Sequence, residues 1–193
     1  MNEKEIIREI LKGNTDKFSY FVEKYENQIF NLCLSIVKNK DDALDLTQEA
    51  FLLAYKNLKN FKGKSSFSTW IYRIAYNLSI NFVKRKGEFL TILDRDEEDL
   101  EFQIEDKTSS IWEEIEKEER MKIIEDCLNK LKDSDRVIIE LREIENLSYE
   151  EISEILSLPI GTIKSRLFRA REHLKNEVEN FLKGKGKDSE TKL

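Results

Sequence analysis

The side chains best suited to reading another molecule lie between Thr162 and Lys175. At helical spacing Ile163, Leu167, Ala170 and Leu174 recur at intervals of four, three and four and share one face. The opposite face presents Ser165, Phe168, Arg169 and Glu172, flanked by Lys164, Arg171 and Lys175, with Thr162 and Arg166 nearer its edges. From a helix in the major groove, arginine donates paired hydrogen bonds to guanine, serine bonds to base or phosphate, and an outward phenylalanine presses on a thymine methyl. The helix N-terminus and its flanking bases would hold phosphates. The plainer reading is a surface helix with a solvated basic face. Against it stands a sharp polarity: residues 161–175 carry five bases and one acid, and residues 140–154 carry six acids and one base.

A second stretch has the chemistry of single-strand binding. In FKGKSSFSTWIYRIAYNLSINFVKRK a short polar loop leads into a helix whose inner face is expected to be Ile71, Ile74, Ala75, Leu78 and Phe82. Its other side carries Arg73, Tyr76, Asn77, Ile80 and Lys84, with Trp70 at the margin. Residues 50–87 hold eight bases and no acid, and bases interleaved with aromatic rings suit stacked nucleotides and their phosphates. An aromatic core helix with a solubilising face fits the same pattern. In the preceding helix, Ala43, Thr47, Ala50, Phe51, Ala54 and Leu58 turn inward, and Asp45, Gln48, Glu49 and Leu52 come out opposite. A leucine framed by carboxylates suits a protein-docking surface, or a plain solvent face with one stray apolar residue.

These segments need helices to position them, and the chain supplies little else. It has 193 residues with one Pro and six Gly, and 37% of them are charged. Helical periodicity predicts helices near 3–11, 15–38, 41–59 and 67–86, then 111–131, 133–145, 148–157 and 162–182. Ser148 and Glu151 form a capping box with Leu147 and Ile152 at the staple positions, and Pro159 and Gly161 turn the chain before the reading helix. The fold class is therefore all-α, with two small helical domains, 1–88 and 111–183. An acidic flexible linker is expected at 89–110 and a disordered tail at 184–193.

Charge follows the same division. The net charge is −6 and the sequence pI about 5.2, which is unusual for a free nucleic-acid binder. Residues 1–88 sum to +4, 89–119 to −10 and 120–193 to zero. No apolar run is long enough to cross a bilayer or to act as a signal peptide, so a cytoplasmic protein without membrane insertion is expected. Cys33 and Cys127 lie far apart outside any C-x-x-C pair and read as small buried hydrophobes. His173 reads as a helix-surface residue. No metal, cofactor or catalytic residue is expected.

Three segments in this order resemble the extracytoplasmic-function (ECF, group IV) sigma factors, two-domain specificity subunits of bacterial RNA polymerase. DDALDLTQEAFLLAYKNL is similar to their core-polymerase-binding segment and FSTWIYRIAYNLSINFVKRK to their minus-10 helix. LSYEEISEILSLPIGTIKSRLFRAREHL is similar to their minus-35 helix-turn-helix. The resemblance implies that residues 1–88 are sigma region 2 and 111–183 sigma region 4, and that the protein is not an enzyme but directs core polymerase to promoters. By resemblance Asp45, Gln48, Glu49 and Leu52 meet the clamp helices of the largest polymerase subunit, with region 4 near the polymerase flap. Phe61, Lys62, Lys64, Phe67, Trp70, Arg73 and Asn77 open and hold the single-stranded minus-10 element, with Lys84 and Arg85 on phosphates. Thr162, Lys164, Ser165, Arg166, Phe168, Arg169 and Arg171 read the minus-35 duplex. An anti-sigma factor, membrane-anchored for many family members, is the further partner implied. Asn81 departs from the Asp that many relatives carry. An acidic net charge suits a subunit that meets DNA inside a larger complex.

Two other readings compete. A stand-alone helix-turn-helix regulator would need a dimerisation helix or sensor domain, and a DNA recombinase would need a catalytic serine with supporting arginines or a carboxylate cluster for Mg²⁺. Neither pattern is present in the sequence.

Overall fold

The computed structural model describes residues 2–87 and 117–190, with side chains from 122 to 183 in the second stretch. The described residues are helical and contain no strand. Helix α1 (Glu3–Leu11) begins at a reciprocal capping box between Asn2 and Glu5. A 3₁₀ turn at Thr15–Phe18 leads into α2 (Ser19–Val37), which ends at Lys38 in the left-handed conformation. Helix α3 (Lys40–Asn57) is capped by Asn39, whose side chain accepts from the Asp41 and Asp42 amides at 3.0 Å. Helix α4 (Phe67–Arg85) is capped by Ser66, which accepts from Thr69 N at 3.0 Å.

Helices α2, α3 and α4 pack on one another around Phe21, Ile29, Leu32, Ala50, Ile71 and Ala75. Hydroxyls that enter this core bond back to their own helices: Thr47 to Ala43 O at 2.7 Å and Ser79 to Ala75 O at 2.9 Å, which offsets the cost of their burial. Cys33 is fully buried among them, and burial pushes its thiol above the ordinary range.

The second group comprises α5 (Lys117–Lys130), α6 (Asp133–Ile139), α7 (Tyr149–Leu156) and α8 (Ile160–Glu190). The expected helix over 133–145 is two pieces, since a π turn at Glu140–Ile144 follows α6 and lets Glu145 N reach Glu140 O. Cys127 is buried with Ile123 and Val178 where α5 meets α8. The α8 backbone runs past the end expected near 182; no proline interrupts it, and Lys183 and Glu179 pair at 3.5 Å one turn apart. The acidic linker expected at 89–110 lies outside the described residues, as do 191–193.

The two groups touch. One buried apolar cluster continues from Phe21, Tyr72 and Ile80 through Val137, Ile138 and Leu141 to Ile152, Ile155 and Ile163. Helix α7 lies on α4, and α6 lies on α2. Lys38, at the end of α2, pairs with Asp133, at the start of α6, at 2.6 Å.

Candidate nucleic-acid interface

The helix-turn-helix is built from its caps inward. Ser148 Oγ accepts from Glu151 N at 3.2 Å while Glu151 Oε2 accepts from Ser148 N at 2.9 Å, which fixes the start of α7. Ser157, at φ 56°, ends α7 in the left-handed region, and Pro159 lends its carbonyl to Ile163 N at 3.0 Å as α8 begins. Ile163, Leu167 and Ala170 are buried and Leu174 partly so, the inner face that the spacing predicts.

On the outer side of α8, Lys164 is exposed, and Thr162, Ser165, Phe168, Arg169 and Arg171 are half-buried. Ser165 donates to Thr162 O at 3.1 Å, and Arg171 donates to Glu143 Oε1 through two nitrogens at 2.7 and 3.0 Å. Arg166 departs from expectation. It is only 6% exposed, and its guanidinium lies close enough to Tyr76 of α4 to act on that phenol. Its helical position is at the edge of the outer face, beside α6 and within electrostatic reach of Tyr76, and almost none of it is open to a groove in this arrangement.

Arg166 and Arg169 line a polar cleft of about 250 Å³ with Lys132, Ser134, Asp135 and His173. His173 is on the helix surface as expected, but its Nδ1 lies 2.6 Å from Asp135 Oδ2 of α6. Lys132, Ser134 and Asp135 were not legible as neighbours of the reading helix. They sit some thirty residues earlier, at the start of another helix, and local spacing does not say which helices pack together.

In the α4 region, Lys62 and Lys64 are exposed on a loop turned by Gly63 at φ 65°. Phe61 and Trp70 are half-buried, their rings 4.9 Å apart. Phe67, expected on this loop surface, is a core residue instead: it is 2% exposed and stacks on Phe21 at 3.9 Å. As the first residue of α4 it faces α2, and its size fills the space between the helices. Asn77 and Lys84 are exposed as the spacing predicts, and Arg85 beside them is exposed as well. Tyr76 and Ile80, expected to face outward, are buried at 6% each because the second helical group covers them. Burial pushes the Tyr76 phenol up to about 12, against a smaller opposing pull from Arg166. Arg73 is only part-exposed and pairs with Glu154 of α7 at 3.5 Å.

On α3, Asp45, Gln48, Glu49 and Leu52 are all exposed. The exposed apolar surface is wider than the sequence reading had it, since Leu44 and Tyr55 flank Leu52 at helical spacing. Their amphipathic signal is weak because each neighbours a residue of the inner face. Among the described residues no group of His, Cys, Asp and Glu is placed to hold a metal, and no helix is long and apolar enough to cross a membrane.

A family model described as Sigma-70 region 2 matches residues 21–89, which span α2 to α4, and one described as Sigma-70, region 4 matches residues 121–174, which contain the helix-turn-helix. Over 187 residues the chain is 32% identical to the ECF RNA polymerase sigma-E factor of Haemophilus influenzae, an alignment covering 94% of this chain and 98% of that relative. The chain belongs to the ECF sigma factor family. As an alternative sigma factor it directs bacterial RNA polymerase to promoters and is not an enzyme.

Solved structures share the sigma factor's fold. CnrH, in complex with the cytosolic domain of CnrY, matches with a TM-score of 0.64 at 19% identity, over 91% of this chain and 96% of that one. The sigma factor RpoE of Bartonella quintana, in complex with the anti-sigma factor NepR, matches with a TM-score of 0.63 at 23% identity, over 84% of this chain and 96% of that one.

Proposed function

We propose that this sigma factor divides promoter recognition between its two helical groups, with residues 1–88 acting as region 2 and 111–183 as region 4. The observation that carries the reading is segregation of charge onto different faces: an exposed carboxylate face on α3, exposed bases on α4 and its loop, and a basic outer face on α8. Asp45, Glu49, Gln48 and Leu52, widened by Leu44 and Tyr55, dock on the clamp helices of the largest polymerase subunit. Lys62, Lys64, Lys84 and Arg85 hold phosphates of the minus-10 strand, while Phe61, Trp70 and Asn77 meet its bases. Lys164, Ser165, Phe168 and Arg169 read the minus-35 duplex, with Thr162 at the helix start. Region 4 also contacts the polymerase flap, the site of action is the cytoplasm, and an anti-sigma factor restrains the protein.

The test is run-off transcription with purified core polymerase. The wild-type chain gives a promoter-dependent transcript, and Lys84→Ala with Arg85→Ala lowers promoter affinity with a shallower salt dependence while polymerase association is retained. A salt slope identical to that of the wild type removes these residues from the phosphate contacts.

A further inference from the structure

We infer that the cleft between α6 and α8 is a site for one phosphate group, which His173, held in place by Asp135, binds with uptake of a proton. The phosphate meant is one of the duplex backbone beside the minus-35 element, so the inference rests on the placement of α8 proposed above. Lys132, Ser134 and Asp135 of α6 line the cleft from one side, and Arg166, Arg169 and His173 of α8 from the other. The three α8 residues fall at i, i+3 and i+7, which puts them on one stripe running away from the reading face.

Charge and size select the occupant. Lys132, Arg166 and Arg169 bring three positive charges against the single carboxylate of Asp135, before the imidazole is counted. The acids nearest the cleft are engaged elsewhere: Asp133 pairs with Lys38 at 2.6 Å and with Arg136 at 3.1 Å, and Glu177, one turn beyond His173, pairs with Lys130 of α5 at 3.8 Å. The site therefore favours an anion. Sites that hold a whole small molecule run to roughly 300–1,000 Å³. This cleft, at about 250 Å³, suits a single charged group.

The histidine is set up for this role by its partner. Asp135 is 8% exposed, and its Oδ2 lies 2.6 Å from His173 Nδ1. A carboxylate accepts, so Nδ1 carries the proton and the orientation of the ring is fixed. Nε2 of the neutral ring is then an acceptor, which a phosphate oxygen cannot use. A second proton makes Nε2 a donor and gives the ring a charge, so phosphate binding and proton binding strengthen each other. Lys132 adds a mobile charge at the rim: it is exposed, and although it holds the N-cap position of α6 it makes no capping bond.

The chain has one histidine, so its ring-proton NMR signal reports this site alone. In the isolated full-length chain at constant ionic strength, inorganic phosphate should shift that signal saturably and raise its titration midpoint by at least about half a pH unit. Lys132→Ala, which removes a charge but no helix cap, should weaken both effects. With the polymerase complex, promoter affinity is then measured on duplexes carrying a neutral methylphosphonate at single backbone positions across the minus-35 element. One position should cost the wild type about tenfold at pH 6.5 and less at pH 8, and cost His173→Gln no more than about twofold at either. Lys132→Ala should flatten the slope of log affinity against log salt by about 0.9, equally for every promoter base variant. A histidine signal indifferent to phosphate, or a backbone scan identical in wild type and His173→Gln, overturns the inference. Saturation by inorganic phosphate with no sensitive backbone position assigns the cleft to a free anion and overturns the duplex as its source. If Arg169→Ala leaves base discrimination unchanged, the reading of α8 fails, and the phosphate titration of His173 still decides the cleft.

Discussion

Tyr72 and Glu145 are 73 positions apart in the chain, yet the phenol donates to the carboxylate at 2.6 Å across the seam between the two helical groups. Burial and that carboxylate together hold the phenol well above its usual range, so the tyrosine remains a hydrogen-bond donor at any physiological pH. The pair sits beside Glu140, a carboxylate that the fold buries without an opposite charge among the described residues.

Burial first, and then the Glu145 carboxylate, push the Glu140 carboxyl up to about 7. Between its ordinary value of 4.5 and about 7 the folded chain keeps a proton that the unfolded chain releases. The stability this group contributes is full below 4.5, is lost as pH rises through about 7, and does not return above it. Glu140→Gln, neutral at every pH, should be more stable than the parent by on the order of 2 kcal/mol near pH 8 and equal to it near pH 4.5. Urea titrations at the two pH values check this, and an equal difference at both would exclude the buried carboxylate as its cause.

Phe67→Ala should cost about 3–5 kcal/mol of stability, since the ring stacks on Phe21 inside the first core. Denaturant unfolding measures the loss directly. A variant as stable as the wild type but defective in promoter opening would return Phe67 to the DNA-contacting loop.

Arg169→Ala should weaken binding of promoter by the polymerase complex by about 1–3 kcal/mol and relax discrimination at the base it meets. Association with core polymerase should be unchanged, because Arg169 lies on the outer side of α8. Competition binding with single-base promoter variants reads both effects, and simultaneous loss of polymerase binding contradicts the assignment.

Glu49→Lys should lower affinity for core polymerase about tenfold by reversing a charge on the α3 face. The residue is exposed, so stability should change by no more than about 0.5 kcal/mol. A polymerase titration with labelled protein checks it, and unchanged affinity would move the docking face elsewhere.

The local chemistry of the fold was legible in the sequence. Ser148 and Glu151 announce the start of α7, and the four-three-four spacing of Ile163, Leu167, Ala170 and Leu174 orients α8 correctly. The inner face of α3 was legible for the same reason, and the burial of both cysteines followed from their residue type and the lack of any C-x-x-C pair. What depends on a distant partner was not. Periodicity leaves Tyr76 and Ile80 on the outward side of α4, and only the arrival of residues from the second helical group makes that side a core. Arg166 and Phe67 failed in the same way: each has the side chain of a DNA-contacting residue, and each is covered by an element whose position the local pattern does not encode. The π turn at Glu140–Ile144 was likewise invisible, because its residues are ordinary helix formers.

The shared seam also sets an order of events during synthesis. The first helical group is complete at Arg85, whereas the carboxylates that cover α4 begin at Glu145. While a ribosome is still making the intervening residues, Tyr72, Tyr76 and Ile80 stand uncovered on a finished bundle. For that interval the nascent chain carries an adhesive apolar surface, and its exposure ends only when the last helices emerge.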